Sequence, residues 1–195
     1  EMDVIDTYRK VLLEGKSART VTFDTEDEMS AAKSLFLLTA KPVLYVCNVD
    51  DKSASTGNEH TARVAEAIKD EDAEMLIISA QTEADIAELE TYEEKQMFLE
   101  DMGLTESGCN RLIKAIYSLL TLQTFITAGE MEVKAWTFRR RWKAPQCAGV
   151  IHTDFEKGFI RAEVIKYEDF IQLKSEAACR AAGKLGVEGK EYVVQ

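Results

Sequence analysis

Apolar side chains fall at helical spacing at the start of the chain, at Val4, Ile5, Tyr8, Val11 and Leu12 with charges between them. That pattern predicts a helix over residues 3–14, ended by Gly15. Thr25-Glu-Asp-Glu28 has the form of a capping box, in which Thr25 satisfies an orphan N–H and Glu28 reaches back. It predicts a second helix running to about Leu38. These two pieces read as an arm without a core of its own. The pattern then changes. Five successive apolar residues between Pro42 and Asn48 read as a strand buried on both faces, the parallel-sheet type. Helical spacing returns over residues 58–69 with Val64, Ala65 and Ile68 inward, and residues 74–79 form a second buried strand. Strand, helix and strand at this spacing make a βαβ unit.

Residues 82–89 and 91–100 read as short acidic helices, the second opened by a Thr91-Tyr-Glu-Glu94 capping box and ended by Gly103. A helix over residues 107–120 carries Leu112, Ile113, Ile116, Leu119 and Leu120 on one face, apt to pack on the sheet. Beyond residue 120 the pattern alternates. Residues 122–127 and 132–138, rich in β-branched and aromatic side chains and joined through Ala128-Gly-Glu130, predict a β-hairpin. A loop with Pro145 and Gly149 follows, then a Thr153-Asp-Phe-Glu156 capping box opening one helical turn that stops at Gly158. Residues 159–166 are strand-like, 167–173 and 175–182 are short helices, and a strand begins at Tyr192. Together these make a compact α+β module. No apolar run approaches the roughly 18–20 residues that span a bilayer. The best, residues 35–46, is cut by Thr39, Lys41 and Pro42. The opening residues are acidic and lack the apolar stretch of a signal peptide, so no membrane is expected.

Composition sharpens the division. The 195 residues are 46% hydrophobic with two prolines, enough for a folded core, and carry a net charge of −11. At first sight an acidic chain argues against a nucleic-acid partner. Residues 1–120, however, hold 12 basic and 25 acidic side chains, whereas residues 121–195 hold 12 and 10, a net of +2. The partner argument therefore separates at a boundary near residue 120. Cys47, Cys109, Cys147 and Cys179 are scattered without a C-x-x-C pair, which suits reduced thiols and a cytoplasmic compartment. Two histidines are too few for a His-rich metal site, and no metal ligands are assigned within the chain.

Candidate chemistry concentrates in three places. Asn48-Val-Asp-Asp51 follows the first buried strand directly, where side chains face the ligand crevice of a parallel sheet. There Asp51 can accept from a purine N–H or exocyclic amine while Asn48 ties neighbouring loops together. Ser79-Ala80 ends the second strand and would set backbone N–H groups beside the same base. An ordinary polar loop and helix cap is the plainer reading of the first motif. Arg139-Arg-Arg-Trp-Lys143 is the one dense basic cluster. Arg139, Arg140, Arg141 and Lys143 suit phosphates and Trp142 can stack on a base, which together suit RNA; a solvated hairpin end is the alternative. His152, beside Thr153 and Asp154, reads as part of a helix start rather than a catalytic group, so no catalytic residue is assigned. Trp136 and Phe138 read as core or sheet-face residues, and the acidic helices as a solvated face.

Lys41-Pro-Val-Leu-Tyr-Val-Cys-Asn-Val-Asp-Asp51 resembles the base-reading segment of the YchF-type, Obg-like ATPases, translation-factor-class P-loop NTPases. The resemblance continues through Ser79-Ala80 and Glu106-Ser-Gly-Cys-Asn-Arg-Leu-Ile-Lys114, and is densest in Thr124-Phe-Ile-Thr-Ala-Gly129, Val133-Lys-Ala-Trp-Thr137 and Lys143-Ala-Pro145. The run Ala148-Gly-Val-Ile-His-Thr-Asp-Phe-Glu-Lys-Gly-Phe-Ile160 resembles the hallmark of the TGS domain, a β-grasp module shared with threonyl-tRNA synthetases and stringent-response enzymes. The resemblance implies three parts: residues 1–40 the end of a helical coiled-coil arm, 41–120 the C-terminal half of an α/β G domain with its base-reading loops, and 121–195 an α+β TGS domain lacking its last strand. It implies nucleotide contacts at Asn48, Val49, Asp51, Ser79 and Ala80, and a parent protein that is ribosome-associated, linked to redox stress and hydrolyses ATP.

Neither G-x-x-x-x-G-K-[ST] nor D-x-x-G occurs, so the phosphate cradle and the Mg²⁺ ligands are expected outside these residues and the chain alone is expected to be inactive. Val49 fits the family, but Asp51 stands where the family carries Glu, so ATP is the implied nucleotide with GTP left open. Family members show Gly-Thr where this chain has Arg141-Trp142, a departure that adds charge and a ring. Ribosome or ribosomal RNA is the implied partner, with neither DNA nor membrane. The alternatives are a non-enzymatic RNA- or ribosome-binding module and, with least support, a protein-docking adaptor built on the acidic helices.

Overall fold

A computed structural model describes every residue except Glu1, Asp72 and Glu130; the last lies within the expected hairpin turn, which is thus partly outside the described residues. The chain divides into two compact units, Glu1–Leu119 and Leu120–Gln195.

In the first unit, α1 (Met2–Leu13) buries Val4 and Tyr8, and Gly15 beyond it adopts φ +76°, a left-handed conformation that glycine takes without a Cβ clash. The Thr25–Glu28 capping box forms and opens α2 (Glu26–Ser34). This helix stops short of Leu38. Leu35 caps it and Phe36 turns left-handed at φ +49°, reversing the chain into a 3-10 turn over Leu38–Ala40. The reversal corrects a second expectation, because it gives the arm segment a core. Val4, Tyr8, Ala18 and Ala32 cluster there, with Phe23 edge-on to Tyr8 at 5.3 Å. Arg19 donates to Glu71 at 2.7 Å, and the Tyr45 hydroxyl donates to the same carboxylate oxygen at 3.1 Å, tying this segment to the sheet.

The sheet consists of β1 (Leu44–Asn48) and β2 (Glu74–Ile78), parallel and in register from Leu44 opposite Glu74 to Asn48 opposite Ile78. Between them α3 (Glu59–Ile68) starts at Asn58, whose side chain accepts from Thr61 N–H, and buries Thr61 and Ile68; Ala65 faces solvent, against expectation. The strands are not covered on both faces, since Val46 is 43% exposed. After β2 come α4 (Ala80–Glu88), capped by Ser79, and α5 (Tyr92–Asp101), with the expected Thr91–Glu94 box. Then α6 (Gly108–Leu119) packs on β1 and β2. Leu112, Ala115 and Leu119 are partly covered, whereas Ile113, Ile116 and Leu120 are exposed.

In the second unit the hairpin forms as β3 (Leu122–Ala128) and β4 (Val133–Arg139), antiparallel with Phe125 opposite Trp136. Phe138 is buried against Phe125, while the Trp136 Nε1–H donates to Thr127 and the Lys134 ammonium lies 4.1 Å from the Trp136 ring centre. The expected loop at Pro145 and Gly149 is a helix, α7 (Ala144–Ile151). Pro145 occupies its first turn, where an N–H has no intrahelical acceptor to lose. Gly149 makes room for Glu156: a Cβ there would lie 2.5 Å from that carboxylate. The following turn, α8 (Thr153–Lys157), is capped by His152 rather than by Thr153, the imidazole Nδ1 accepting from Asp154 N–H at 3.2 Å. Antiparallel strands β5 (Ala162–Ile165) and β6 (Leu185–Glu188) flank α9 (Tyr167–Leu173) and α10 (Glu176–Ala181), and β6 has no counterpart in the pattern reading. The final residues make one bridge, Val193 to Lys143, in place of a strand.

Candidate functional site

The loops leaving β1 and β2 lie side by side because the strands are parallel and in register to their last residues. Val49 N–H donates to Ile78 carbonyl at 2.9 Å, extending the ladder one step into the loop. Beyond it, Asp50 caps a 3-10 turn at Ser53, which leaves Asp51 directed across to the second loop.

There one oxygen of Asp51, Oδ1, accepts from Ser79 Oγ at 2.6 Å and from Thr82 Oγ1 at 2.8 Å. Asn48 Oδ1 accepts from the Ala80 N–H at 2.9 Å. Four of the five residues expected to contact nucleotide are thus joined directly across two loops, and Val49 is in the same ladder. One detail differs from expectation: the Ala80 N–H is taken up by Asn48 and does not stand free for a base. The Asn48 amide NH₂ and the second oxygen of Asp51 carry no hydrogen bond among the described residues, and both side chains are exposed. Hydrogen bonds from Ser79 first and Thr82 second stabilise the ionised form and hold the Asp51 carboxyl below its ordinary value.

Behind this pair the scaffold is closed. Ser79 is 2% exposed and Thr82 is 1% exposed. From α4, Glu83 accepts from Gly108 N–H and Cys109 N–H at the start of α6, at 2.5 and 3.0 Å. Arg111 of α6 donates to Ile77 carbonyl at 2.8 Å. The sequence reading missed Thr82, Glu83 and Arg111. Thr82 stands one helical turn after Ser79, and that spacing was the available signal. Cys109 is held protonated, its thiol pushed upward by the Glu83 carboxylate and then by burial, so it is no activated thiolate.

Gly15-Lys16-Ser17 shares the last three positions of a phosphate loop, but Lys10 stands where the first glycine belongs. The tripeptide follows the C-terminus of α1 and leads only into a 3-10 turn over Ala18–Thr20, and Lys16 pairs with Glu14. Among the described residues, no group of three or more His, Cys, Asp or Glu is placed to hold a metal ion, and no helix is long and apolar enough to cross a membrane.

The basic cluster belongs to the second unit, at the end of β4. Arg139, Arg140 and Arg141 are exposed and form no ion pair among the described residues. Trp142 is half-buried, its carbonyl accepting from Val194 N–H, and Lys143 pairs with Glu191. Arg141 sits at φ +69°, in the left-handed region where a side chain costs about 1–2 kcal/mol.

Comparison with known proteins gives consistent matches. Residues 122–195 match the YchF-GTPase_C family model, described as "Protein of unknown function (DUF933)". Over its whole length the chain is 51% identical to the ribosome-binding ATPase YchF of Bacillus subtilis, covering 53% of that protein. It is 48% identical to the protein of the same name from Haemophilus influenzae, again over 100% of this chain and 53% of the relative. Obg-like ATPase 1 of Gallus gallus is 40% identical over 100% of this chain and 50% of its own length. The solved structure of the Schizosaccharomyces pombe YchF GTPase matches with a TM-score of 0.85 and 35% identity, over 99% of this chain and 51% of that one. The chain spans about half the length of the curated relatives it matches.

Proposed function

We propose a function from the premise that the chain belongs to the YchF family: it forms the base-reading wall of an ATP site in a ribosome-associated ATPase and carries that protein's C-terminal TGS module. The phosphate loop, Mg²⁺ and its ligands lie, on this reading, in sequence outside these 195 residues. The bound nucleotide with its Mg²⁺ would supply the phosphoryl group and its charge neutralisation. This chain's residues bind and orient the base.

The observation that carries the reading is the division of labour at Asp51. A carboxylate oxygen has two lone pairs, and on Oδ1 both face hydroxyls, Ser79 at 2.6 Å and Thr82 at 2.8 Å. Only Oδ2 is left for a ligand. Guanine offers two parallel donors to a carboxylate and is gripped best by both oxygens, whereas adenine offers one exocyclic amine beside an acceptor nitrogen. The remaining oxygen therefore suits adenine, and the Asn48 amide NH₂ suits a purine ring nitrogen. ATP is favoured over GTP on this geometry.

The mildly basic second unit suits the ribosome through RNA. Arg139, Arg140 and Arg141 present exposed guanidinium groups that form no ion pair among the described residues, and the left-handed Arg141 stands where the family carries the glycine that this backbone favours. A cytoplasmic location follows from such a partner. The non-enzymatic RNA- or ribosome-binding module is less favoured, since the named relatives are ATPases. In the full-length protein, Asn48→Ala should weaken ATP binding at least about tenfold, the loss of one good hydrogen-bonded contact. Unchanged ATP affinity in a folded Asn48→Ala protein would overturn the reading.

A further inference from the structure

Thr82 belongs to no motif that pointed to the nucleotide, yet it is among the most completely buried polar side chains of the first unit, 1% exposed, and its hydroxyl is aimed at the base-reading carboxylate. We infer that Thr82 is a specificity-determining residue: by occupying the second lone pair of Asp51 Oδ1, its hydroxyl restricts Asp51 to one base donor and so rejects guanine. This deepens the proposed function and rests on its assignment of Asp51 to the base.

The restriction follows from the number of acceptor positions on Asp51. Ser79 Oγ also accepts from Thr82 N–H at 3.2 Å, so Ser79 and Thr82 form one rigid turn at the start of α4. Its two hydroxyls converge on the same oxygen from 2.6 and 2.8 Å. With both lone pairs of Oδ1 filled, guanine's ring N–H and amino N–H must compete for Oδ2, where two parallel donors cannot both meet one oxygen at good angles. Adenine pays no such penalty, because its amine needs one acceptor and its neighbouring ring nitrogen is repelled by a second carboxylate oxygen. Tying Oδ1 back toward α4 removes that repulsion as well. The shorter side chain of Asp51, where the family carries Glu, keeps the carboxylate within reach of both hydroxyls.

Thr82→Val retains the shape of the buried side chain and deletes only the hydroxyl. In the full-length protein carrying the phosphate loop, ATP and GTP affinities are compared by displacement of a fluorescent nucleotide. Thr82→Val should raise GTP affinity relative to ATP by about tenfold, within the range one bidentate base contact supplies. Thr82→Ser keeps the hydroxyl and should hold the wild-type ratio, which separates the hydroxyl from side-chain packing. If Thr82→Val is poorly folded, Ser79→Ala removes the other donor to Oδ1 and should move the ratio in the same direction. An ATP-to-GTP ratio unchanged in a folded Thr82→Val or Ser79→Ala protein overturns the inference while leaving the base site intact. Failure of the wild-type protein to bind either nucleotide, or binding indifferent to Asn48→Ala, defeats the proposed function instead.

Discussion

Asp51 is an exposed carboxylate governed by its two hydroxyl partners, and its titration follows from them. Ser79 and Thr82 donate to the ionised form and depress the carboxyl's value in the folded protein. A group depressed on folding contributes stability that is present above its unfolded value, near 3.9 for aspartate, and is lost as pH falls through the lower folded value. Base recognition through Asp51 should therefore be flat from neutrality down to about pH 5. Carboxyl NMR should place the Asp51 midpoint below that of an ordinary aspartate, with Thr82→Val moving it upward. A midpoint at the ordinary value in the wild-type chain would contradict the hydrogen-bonded geometry. At the same scale, Arg141 keeps a left-handed backbone that glycine would adopt freely, so its guanidinium is retained against a local cost.

At the scale of elements, what the sequence made legible were those with their own end signals. The Thr25 and Thr91 capping boxes, the glycine after α1 and the β3–β4 alternation all appear where the pattern places them. The misses come from long-range packing. Pro145 and Gly149 read locally as helix breakers, yet one sits in a permissive first turn and the other yields its missing Cβ to Glu156. Phe36 ends α2 early so that the chain can fold back over Tyr8, Phe23 and Ala32, a demand no local pattern announces. In the candidate site, Asn48, Asp51, Ser79 and Ala80 stand out in the sequence and are joined in the structure, whereas Thr82, Glu83 and Arg111 act through partners in other elements. Gly108 tests this packing. A Cβ there would stand 2.9 Å from both Glu83 Oε1 and Ile78 Cγ2. Gly108→Ala should destabilise the first unit by about 1–3 kcal/mol through overpacking and displacement of Glu83 from α6, read as a lower denaturant midpoint. An unchanged midpoint would show that α6 and α4 are not locked by this contact.

At the scale of the molecule, charge and chemistry are partitioned. The acidic residues concentrate in the first unit, which holds the loops after β1 and β2, and the exposed run Arg139, Arg140 and Arg141 lies in the second. Reversing Arg139, Arg140 and Arg141 to Glu should weaken ribosome co-sedimentation of the full-length protein and flatten its salt dependence, because each lost phosphate contact lowers the salt slope by about 1. Binding that keeps its strength and slope would move the ribosome contact elsewhere. Photolabelling the full-length protein with 8-azido-ATP, followed by mapping of the modified peptides, asks whether residues 48–51 and 79–82 face the base of a bound adenine nucleotide. Label is expected in peptides containing residues 48–51 or 79–82, abolished by excess ATP and reduced in Asn48→Ala. ATP-protected label confined to other segments, with none on these two loops, would contradict it.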